Sequence, residues 1–317
     1  MLRLIIVINK DTMKLKRRQL LTLLGLSSLS FAGLSSLYQS QTYSLDEAQK
    51  LSPISTTPPR LRFISVADTG TGDRGQYAVA NAMIRYHQNQ PFNIVILAGD
   101  NIYTNGEIEK IPLVFEKPYQ QLLEKEVKFY ACLGNHDIRT KNGDLQLQYP
   151  GFNMKGRYYT FRQDLVQFFA LDTNMKNQEW SQQIIWLEAE LSKSDAPWKV
   201  VFGHHPIYSS GIYGKNNEFI KLFTPLFQKY NVQVYINGHE HNYERTRPID
   251  GTTYLICGAG AGSRPVGHSP WTAYATSELS FATFDVYDDK MIISGINTNA
   301  QVFDRGIIPL KSTYQTG

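Results

Sequence analysis

Five short segments of this 317-residue chain each set a metal-binding side chain on or beside a turn. They are Asp68-Thr69-Gly70, Gly99-Asp100-Asn101-Ile102-Tyr103, Gly134-Asn135-His136-Asp137, Gly203-His204-His205 and Gly238-His239-Glu240-His241. Of the seven histidines in the sequence, five fall inside these segments, a clustering that chance explains poorly. Carboxylate, imidazole, amide and phenol donors together suit a pair of cations, and paired cations hydrolyse phosphate esters by clamping the attacking and leaving oxygens. Two cations about 3.5–4 Å apart need a bridging carboxylate to offset their repulsion, and Asp100, central among the segments, is the natural bridge. Asp68 then serves one metal and Asn135 the other, with His204 completing the second. His239 and His241, two residues apart on a turn, reach different metals. Tyr103 lies three residues beyond Asp100, where its phenolate can join the first metal, and a hard phenolate favours a trivalent ion such as Fe(III).

The elements that must position these groups are readable from hydropathy. Apolar runs alternate with helical patterns from Leu61 onward, which predicts an α/β fold. Strands are expected at 61–67, 93–98, 127–133, 157–162, 166–171, 199–202, 232–236 and 253–257, with a hairpin of 281–287 and 290–296 across Asp288-Asp289. Helices are expected at 75–87, 116–125, 179–191 and 218–230. In the third, Trp180, Ile184, Leu187 and Leu191 form an amphipathic stripe. Every one of the five segments follows a strand, and ligands of α/β sheets gather at the carboxyl ends of strands. The glycines Gly70, Gly99, Gly134, Gly203 and Gly238 are expected to permit tight turns there.

Charge and composition narrow the function. The chain is 42% hydrophobic with a formal charge of +4, but residues 1–32 alone hold a net +5, which leaves the remainder at about −1. So neutral a body lacks the basic footprint of a nucleic-acid binder, and no nucleic-acid partner is expected. Lys14-Leu15-Lys16-Arg17-Arg18 ahead of an uncharged Leu- and Ser-rich stretch reads as an export signal over residues 1–32, with Arg17-Arg18 suggesting the twin-arginine route and Met13 an alternative start. A polar linker, 33–60, leads to the folded part at 61–311. The expected location is periplasmic or extracellular, with no membrane partner once the signal is cleaved. Cys132 and Cys257, near the ends of buried strands, read as buried free thiols. His87 reads as an exposed helix residue, His268 as a surface loop residue and His205 as pointing away or lining the pocket edge. Asp137, Asp172 and Glu240 read as supports or turn groups rather than ligands. Tyr158-Tyr159 and Phe168-Phe169 read as sandwich core. The sequence carries no signal for an oligomeric state.

Taken together, the segments resemble the purple acid phosphatases, within the wider calcineurin-like metallophosphoesterases. Most of that superfamily opens with Asp-x-His and uses the histidine as a ligand; here Gly70 takes that place and Tyr103 supplies the missing donor, as in the purple enzymes. The similarity extends from about Leu61 to Leu310 and is strongest to the small, tartrate-resistant animal type, through Leu171-Asp172-Thr173, Trp186-Leu187, Gly203-His204-His205-Pro206 and Gly258-Ala259-Gly260. The resemblance implies a four-layer fold, two mixed β-sheets packed as a sandwich flanked by α-helices. It further implies that Asp68, Asp100, Tyr103 and His241 bind Fe(III), while Asp100, Asn135, His204 and His239 bind divalent Fe, Zn or Mn. His136 would be the catalytic histidine, facing the substrate to bind phosphate or protonate the leaving group. The implied activity is an acid phosphatase acting on a small phosphate monoester, by in-line attack of a metal-bound hydroxide. A phosphodiesterase or nucleotide hydrolase on the same site is the alternative, and a metal-dependent sensor or an iron-based redox protein are further readings. Two departures stand out: Ile212 and Tyr213 align where the animal enzymes have Glu and His near the substrate, and the link from Asp172 to the helix at Glu179 is shorter than their covering loop, which implies an open site.

Overall fold

The computed structural model describes residues 57–174 and 178–310. Thirteen strands form two mixed sheets among these residues. One has six strands in the order β13 (Val302–Pro309), β12 (Lys290–Asn297), β11 (Ser280–Val286), β1 (Leu61–Val66), β2 (Ile94–Leu97) and β3 (Lys128–Ala131). The other has seven, in the order β10 (Thr272–Thr276), β8 (Tyr243–Thr246), β9 (Thr253–Cys257), β7 (Val234–Asn237), β6 (Trp198–Phe202), β5 (Val166–Ala170) and β4 (Tyr159–Gln163). β1, β2 and β3 run parallel in the first sheet, and β5, β6, β7 and β9 run parallel in the second. Antiparallel strands flank both parallel blocks. The central parallel strands are covered on both faces and therefore read as unbroken apolar runs, as Ile94–Leu97 does, buried at every position.

The two sheets meet face to face: Phe63 of β1 packs edge-on against Phe168 of β5 with ring centroids 5.0 Å apart. Helices cover the outer faces. The first, α1 (Arg74–Asn89), starts where the Asp73 carboxylate accepts from the Gly75 and Gln76 amides at 3.0 and 3.2 Å. It buries Val79, Ala80, Met83 and Ile84. Next come α2 (Lys117–Leu123), preceded by a π-turn at Pro112–Glu116, and a single turn, α3 (Asp144–Leu147). On the other side α4 (Gln178–Lys193) and α5 (Asn217–Lys229) enclose a second core. Phe219, Phe223 and Phe227 of α5, spaced at i, i+4 and i+8, there meet Trp180, Leu187 and Leu191 of α4. The stripe expected on this helix is thus buried, with Ile184 packed at its margin.

Four expected helices and the sandwich are present, with bounds shifted by a few residues. The sequence reading missed β8, β10 and β13. Tyr159 and Phe168 are sandwich core as expected, but Phe169, on the opposite face of its strand, is buried in the second core under the helices, and Tyr158 is only half-buried, its ring against Trp186. His87 is half-buried rather than exposed, because its ring packs edge-on against Phe92 at 4.9 Å. His268 is exposed as expected. Cys132 and Cys257 are both buried and free. The expected export signal at 1–32, most of the linker and part of the Asp172-to-helix link lie outside the described residues. No helix among the described residues is long and apolar enough to cross a membrane.

Candidate metal centre

The carboxyl ends of five parallel strands converge on one place. β1 delivers Asp68, β2 delivers Asp100 and Tyr103, β3 delivers Asn135 and His136, β6 delivers His204, and β7 delivers His239 and His241. Asp68, Asp100 and His239 all have positive φ, of 57°, 53° and 67°. For residues with a β-carbon that conformation is unfavourable by about 1–2 kcal/mol each, so surrounding bonds must hold it. The Asp68 amide donates to Gly99 O at 3.0 Å, and the His239 amide donates to Asp68 Oδ2 at 2.9 Å.

The glycines act differently from expectation. Of the five, only Gly99 has positive φ, 87°. The others permit close approach: a Cβ on Gly134 would sit 2.2 Å from Asp100 Oδ1, and one on Gly238 would sit 2.4 Å from Asp68 Oδ2. Gly70 is the most telling. A Cβ there would lie 2.0 Å from Asn101 O, so a bare backbone lets the Asp100–Tyr103 turn close against it. The Tyr103 amide donates to Gly70 O at 2.8 Å, and the phenol is thereby carried into the cluster.

Two groups of donor atoms result. In the first, Tyr103 Oη lies 3.0 Å from Asp68 Oδ1 and 3.2 Å from His241 Nε2, which is itself 3.3 Å from Asp68 Oδ1. In the second, His204 Nε2 lies 3.1 Å from Asn135 Oδ1, 3.2 Å from His239 Nδ1 and 3.5 Å from Asp100 Oδ2. Donor atoms of Asp68, Asp100 and His204 all fall within 4.8 Å of one another, and the Tyr103 phenol also faces Asp100. All seven expected ligands are therefore brought together, with Asp100 between the groups.

The second group tests whether cations suit these residues. His204 Nδ1 lies 3.0 Å from Ala98 O, a carbonyl that only accepts, so the ring proton sits there and Nε2 presents its lone pair. That lone pair faces a carboxylate oxygen, an amide oxygen and another imidazole nitrogen. Lone pairs aimed at one another repel unless a positive charge lies among them. The protein groups alone express the same demand. Burial disfavours a charged His204, yet the carboxylates of Asp100 and Asp68 outweigh it and lift the ring to about 10. Asp100, though burial opposes its ionisation, is held well below the usual carboxylate range by His204. Burial, then the charge of His204, lowers His239 to about 4. Tyr103 is pushed far up by burial and by Asp68 and Asp100, so its phenol reaches an anionic state only beside a cation. The donor set fits a pair of cations.

A family model for calcineurin-like phosphoesterases matches residues 61–243, more than half of the chain. The chain belongs to the calcineurin-like phosphoesterase family. Purple acid phosphatase 4 of Arabidopsis thaliana is 28% identical over 244 residues, covering 67% of this chain and 71% of that protein. Tartrate-resistant acid phosphatase type 5 of Mus musculus is 26% identical over 239 residues, covering 64% and 73%. Among solved structures, GAP50, the anchor in the inner membrane complex of Plasmodium, superposes with a TM-score of 0.71 at 22% identity, over 80% of this chain and 90% of that one. The last likeness speaks for the fold alone.

Around these segments lie supports that the sequence reading only sketched. Asp137, fully buried, accepts from the amides of Gly134, Asn101 and Ile102 and from the side chains of Asn101 and Gln146, at 2.8–3.1 Å. It ties the loop after β3 to the loop after β2, and burial with the nearby charge of Asp100 raises it to about 7. Thr173 Oγ1 accepts from the His204 and His205 amides at 3.2 and 3.0 Å and lies 2.8 Å from His205 Nδ1. His205 packs against His239 with centroids 4.5 Å apart; its ring nitrogens also lie near those of His204 and His239. Asp172 pairs with Arg157 at 3.0 Å and supports Asn174. His136 Nδ1 is 2.7 Å from Thr104 O, and its Nε2 lies 3.9 Å from Asp100 Oδ2. Arg139, missed in the sequence, brings its guanidinium within 3.4 Å of that Nε2. The signal for it was the spacing of three, which a 3₁₀ turn at Asp137–Arg139 stacks above His136.

Proposed function

We propose that this protein is a dinuclear-metal phosphomonoesterase of the purple acid phosphatase type. In this reading residues 61–311 form the catalytic domain, exported behind a signal at 1–32 and a linker at 33–60. The observation that carries it is the convergence of lone pairs on His204 Nε2 beside the Tyr103–Asp68–His241 group. Asp68, Asp100, Tyr103 and His241 would hold Fe(III), whose charge suits a phenolate. Asp100, Asn135, His204 and His239 would hold divalent Fe, Zn or Mn. When bound, the cations would polarise the phosphoryl oxygens and make a water acidic enough to attack below neutral pH.

The chain's own residues do the rest. Asp100 spans both donor groups and fixes their separation. Asp137 and Thr173 lock the loops that carry Asn135 and His204, so little reorganisation remains on substrate binding. His136, with Nδ1 committed to Thr104 O and Nε2 beside Arg139, would, once Nε2 is protonated, bind a phosphoryl oxygen or hand that proton to the departing alkoxide. Arg139 beside it adds positive charge where the ester's anionic oxygens arrive.

The test is an absorption spectrum with elemental analysis of the purified protein, alongside turnover of a mono- and a diester. Two metals per chain, a visible phenolate-to-iron band that Tyr103→Phe abolishes, and preference for the monoester are expected. A metal-free protein that still turns over the monoester would overturn the reading, and preference for the diester would replace its substrate class.

A further inference from the structure

One ring nitrogen each of His204, His205 and His239 lies within 4.8 Å of the other two, and on distance alone three imidazoles so placed suit a metal ion. The hydrogen bonds around Thr173 decide against it. Thr173 is buried just beyond β5, and its hydroxyl has one proton to give and two lone pairs to fill. Both lone pairs are taken, by the His204 amide at 3.2 Å and the His205 amide at 3.0 Å. The proton therefore goes to the remaining neighbour, His205 Nδ1 at 2.8 Å. A proton on Nδ1 instead would leave the hydroxyl proton without an acceptor in a buried place, at a cost of about 1–3 kcal/mol. Nδ1 thus accepts, and the ring carries its own proton on Nε2. The backbone holds this register. The Tyr235 hydroxyl donates to His205 O at 2.8 Å, and a Cβ on Gly203 would lie 2.7 Å from Thr173 Cγ2, so Thr173 rests directly on the end of β6.

Among the described residues His205 Nε2 has no hydrogen-bond partner, and it is not one of the fully buried unpartnered atoms, so it opens to solvent. The ring packs on His239 with centroids 4.5 Å apart and edge-on to His204 at 5.0 Å, which stands this N–H beside both imidazoles of the second donor group. We propose that His205 is a substrate-binding residue and not a metal ligand: its Nε2–H donates to a phosphoryl oxygen brought to His204 and His239. This rests on the phosphomonoesterase reading above and adds to it a donor that residue type alone does not reveal. The oxygen arrives with negative charge, and an N–H fixed in place beforehand binds it without reorganisation. A neutral ring does so without repelling a cation held by His204 and His239, as a lysine or arginine there would.

The first measurement needs no turnover. Nitrogen-15 spectra of the imidazoles, taken on protein equilibrated with zinc, whose filled shell leaves the signals undisturbed, show which ring nitrogen carries the proton. His205 should have a protonated Nε2 and a bare Nδ1; a proton on Nδ1, or zinc bound at Nε2, overturns the assignment. The second compares wild type, His205→Phe and His205→Gln, the glutamine bringing an amide N–H near the place of Nε2. Calorimetry gives the affinity for inorganic phosphate, elemental analysis the metal content, and ethyl phosphate the kinetic constants. In His205→Phe, phosphate affinity should fall and KM rise about tenfold, the scale of one hydrogen bond to a charged oxygen. Metal content should stay unchanged, and His205→Gln should recover most of the binding. Equal phosphate affinity in wild type and His205→Phe overturns the proposal while leaving the phosphatase intact. Loss of one metal in both variants overturns it in favour of a third imidazole ligand. If the wild type does not turn over ethyl phosphate, the functional reading fails, and the phosphate affinities still decide whether His205 binds the anion.

Discussion

Two buried clusters of charged and phenolic groups in this molecule are built from similar parts and behave oppositely. Between β8 and β13, Arg245 meets Asp304 through two bonds of 2.7 and 2.8 Å, and the Tyr243 phenol donates to the same carboxylate at 2.8 Å. A Cβ on Gly306 would sit 2.7 Å from the guanidinium, so the β13 backbone closes over it. β8 and β13 belong to different sheets, and this cluster links the two sheets near their edges. The charges in it are paired, and both carboxylate oxygens accept from a donor. At the candidate metal centre the Tyr103 phenol donates to Asp68, but an amide oxygen, an imidazole nitrogen and a carboxylate oxygen converge on His204 Nε2, on the side of the ring away from its bond to Ala98 O. The first cluster is complete as protein; the second gathers donor atoms that could hold a cation. A buried polar group that finds its partner within the chain holds structure, and one that does not marks a site.

The contrast can be broken by substitution. Asp100→Asn removes the shared carboxylate, so turnover should fall by about 10³-fold, the scale on which a reacting centre feels the loss of one electrostatic group. Metal content by elemental analysis should fall with it. Full metal content in this variant would sever the link between Asp100 and the paired cations. Next in size, Asp304→Ala strands the Arg245 guanidinium and should destabilise the fold by about 3–5 kcal/mol in urea titration. Metal content per folded molecule should be unchanged. Loss of metal without loss of stability would invert the two roles assigned here. Smallest is chelation of the wild type, which should lower stability by about 3 kcal/mol if the cations were held at a hundredfold excess over their dissociation constant. The midpoint in Asp304→Ala should drop by the same further amount, since the two clusters share no side chain. A chelator-insensitive midpoint would mean that the cluster at Asp100 needs no cation to hold its shape.

Much of the candidate metal centre was legible in the sequence because its donors sit in short runs where residue type alone limits the chemistry. Asp68, Asp100, Asn135, His204 and His239 each follow an apolar strand, so the strand-end rule brought them near one another. Supports drawn from elsewhere were less legible. Gln146 of α3, which donates to Asp137, has no pattern that separates it from any other polar helix residue. The strands β8, β10 and β13 were missed for a related reason. Tyr243–Thr246 and Thr272–Thr276 are short and polar-rich, and Val302–Pro309 alternates exposed with buried positions along a sheet edge, so none has the apolar run of a central strand. The glycines misled for a different reason: conformational freedom is a local property that can be guessed, whereas the closeness of Gly134 to Asp100 depends on two loops meeting.

By itself, then, the order of residues determined which donors exist, how they are spaced and that each would ride on a strand end, because hydropathy and residue chemistry are local. Tertiary structure alone decided that Gly70 yields its space to the Tyr103 turn, that the Thr173 hydroxyl meets both the amide and the ring of His205, and that Arg245 closes on Asp304 across two sheets. Those outcomes depend on distances between segments far apart in the chain, and such distances are set by packing, which no single segment contains.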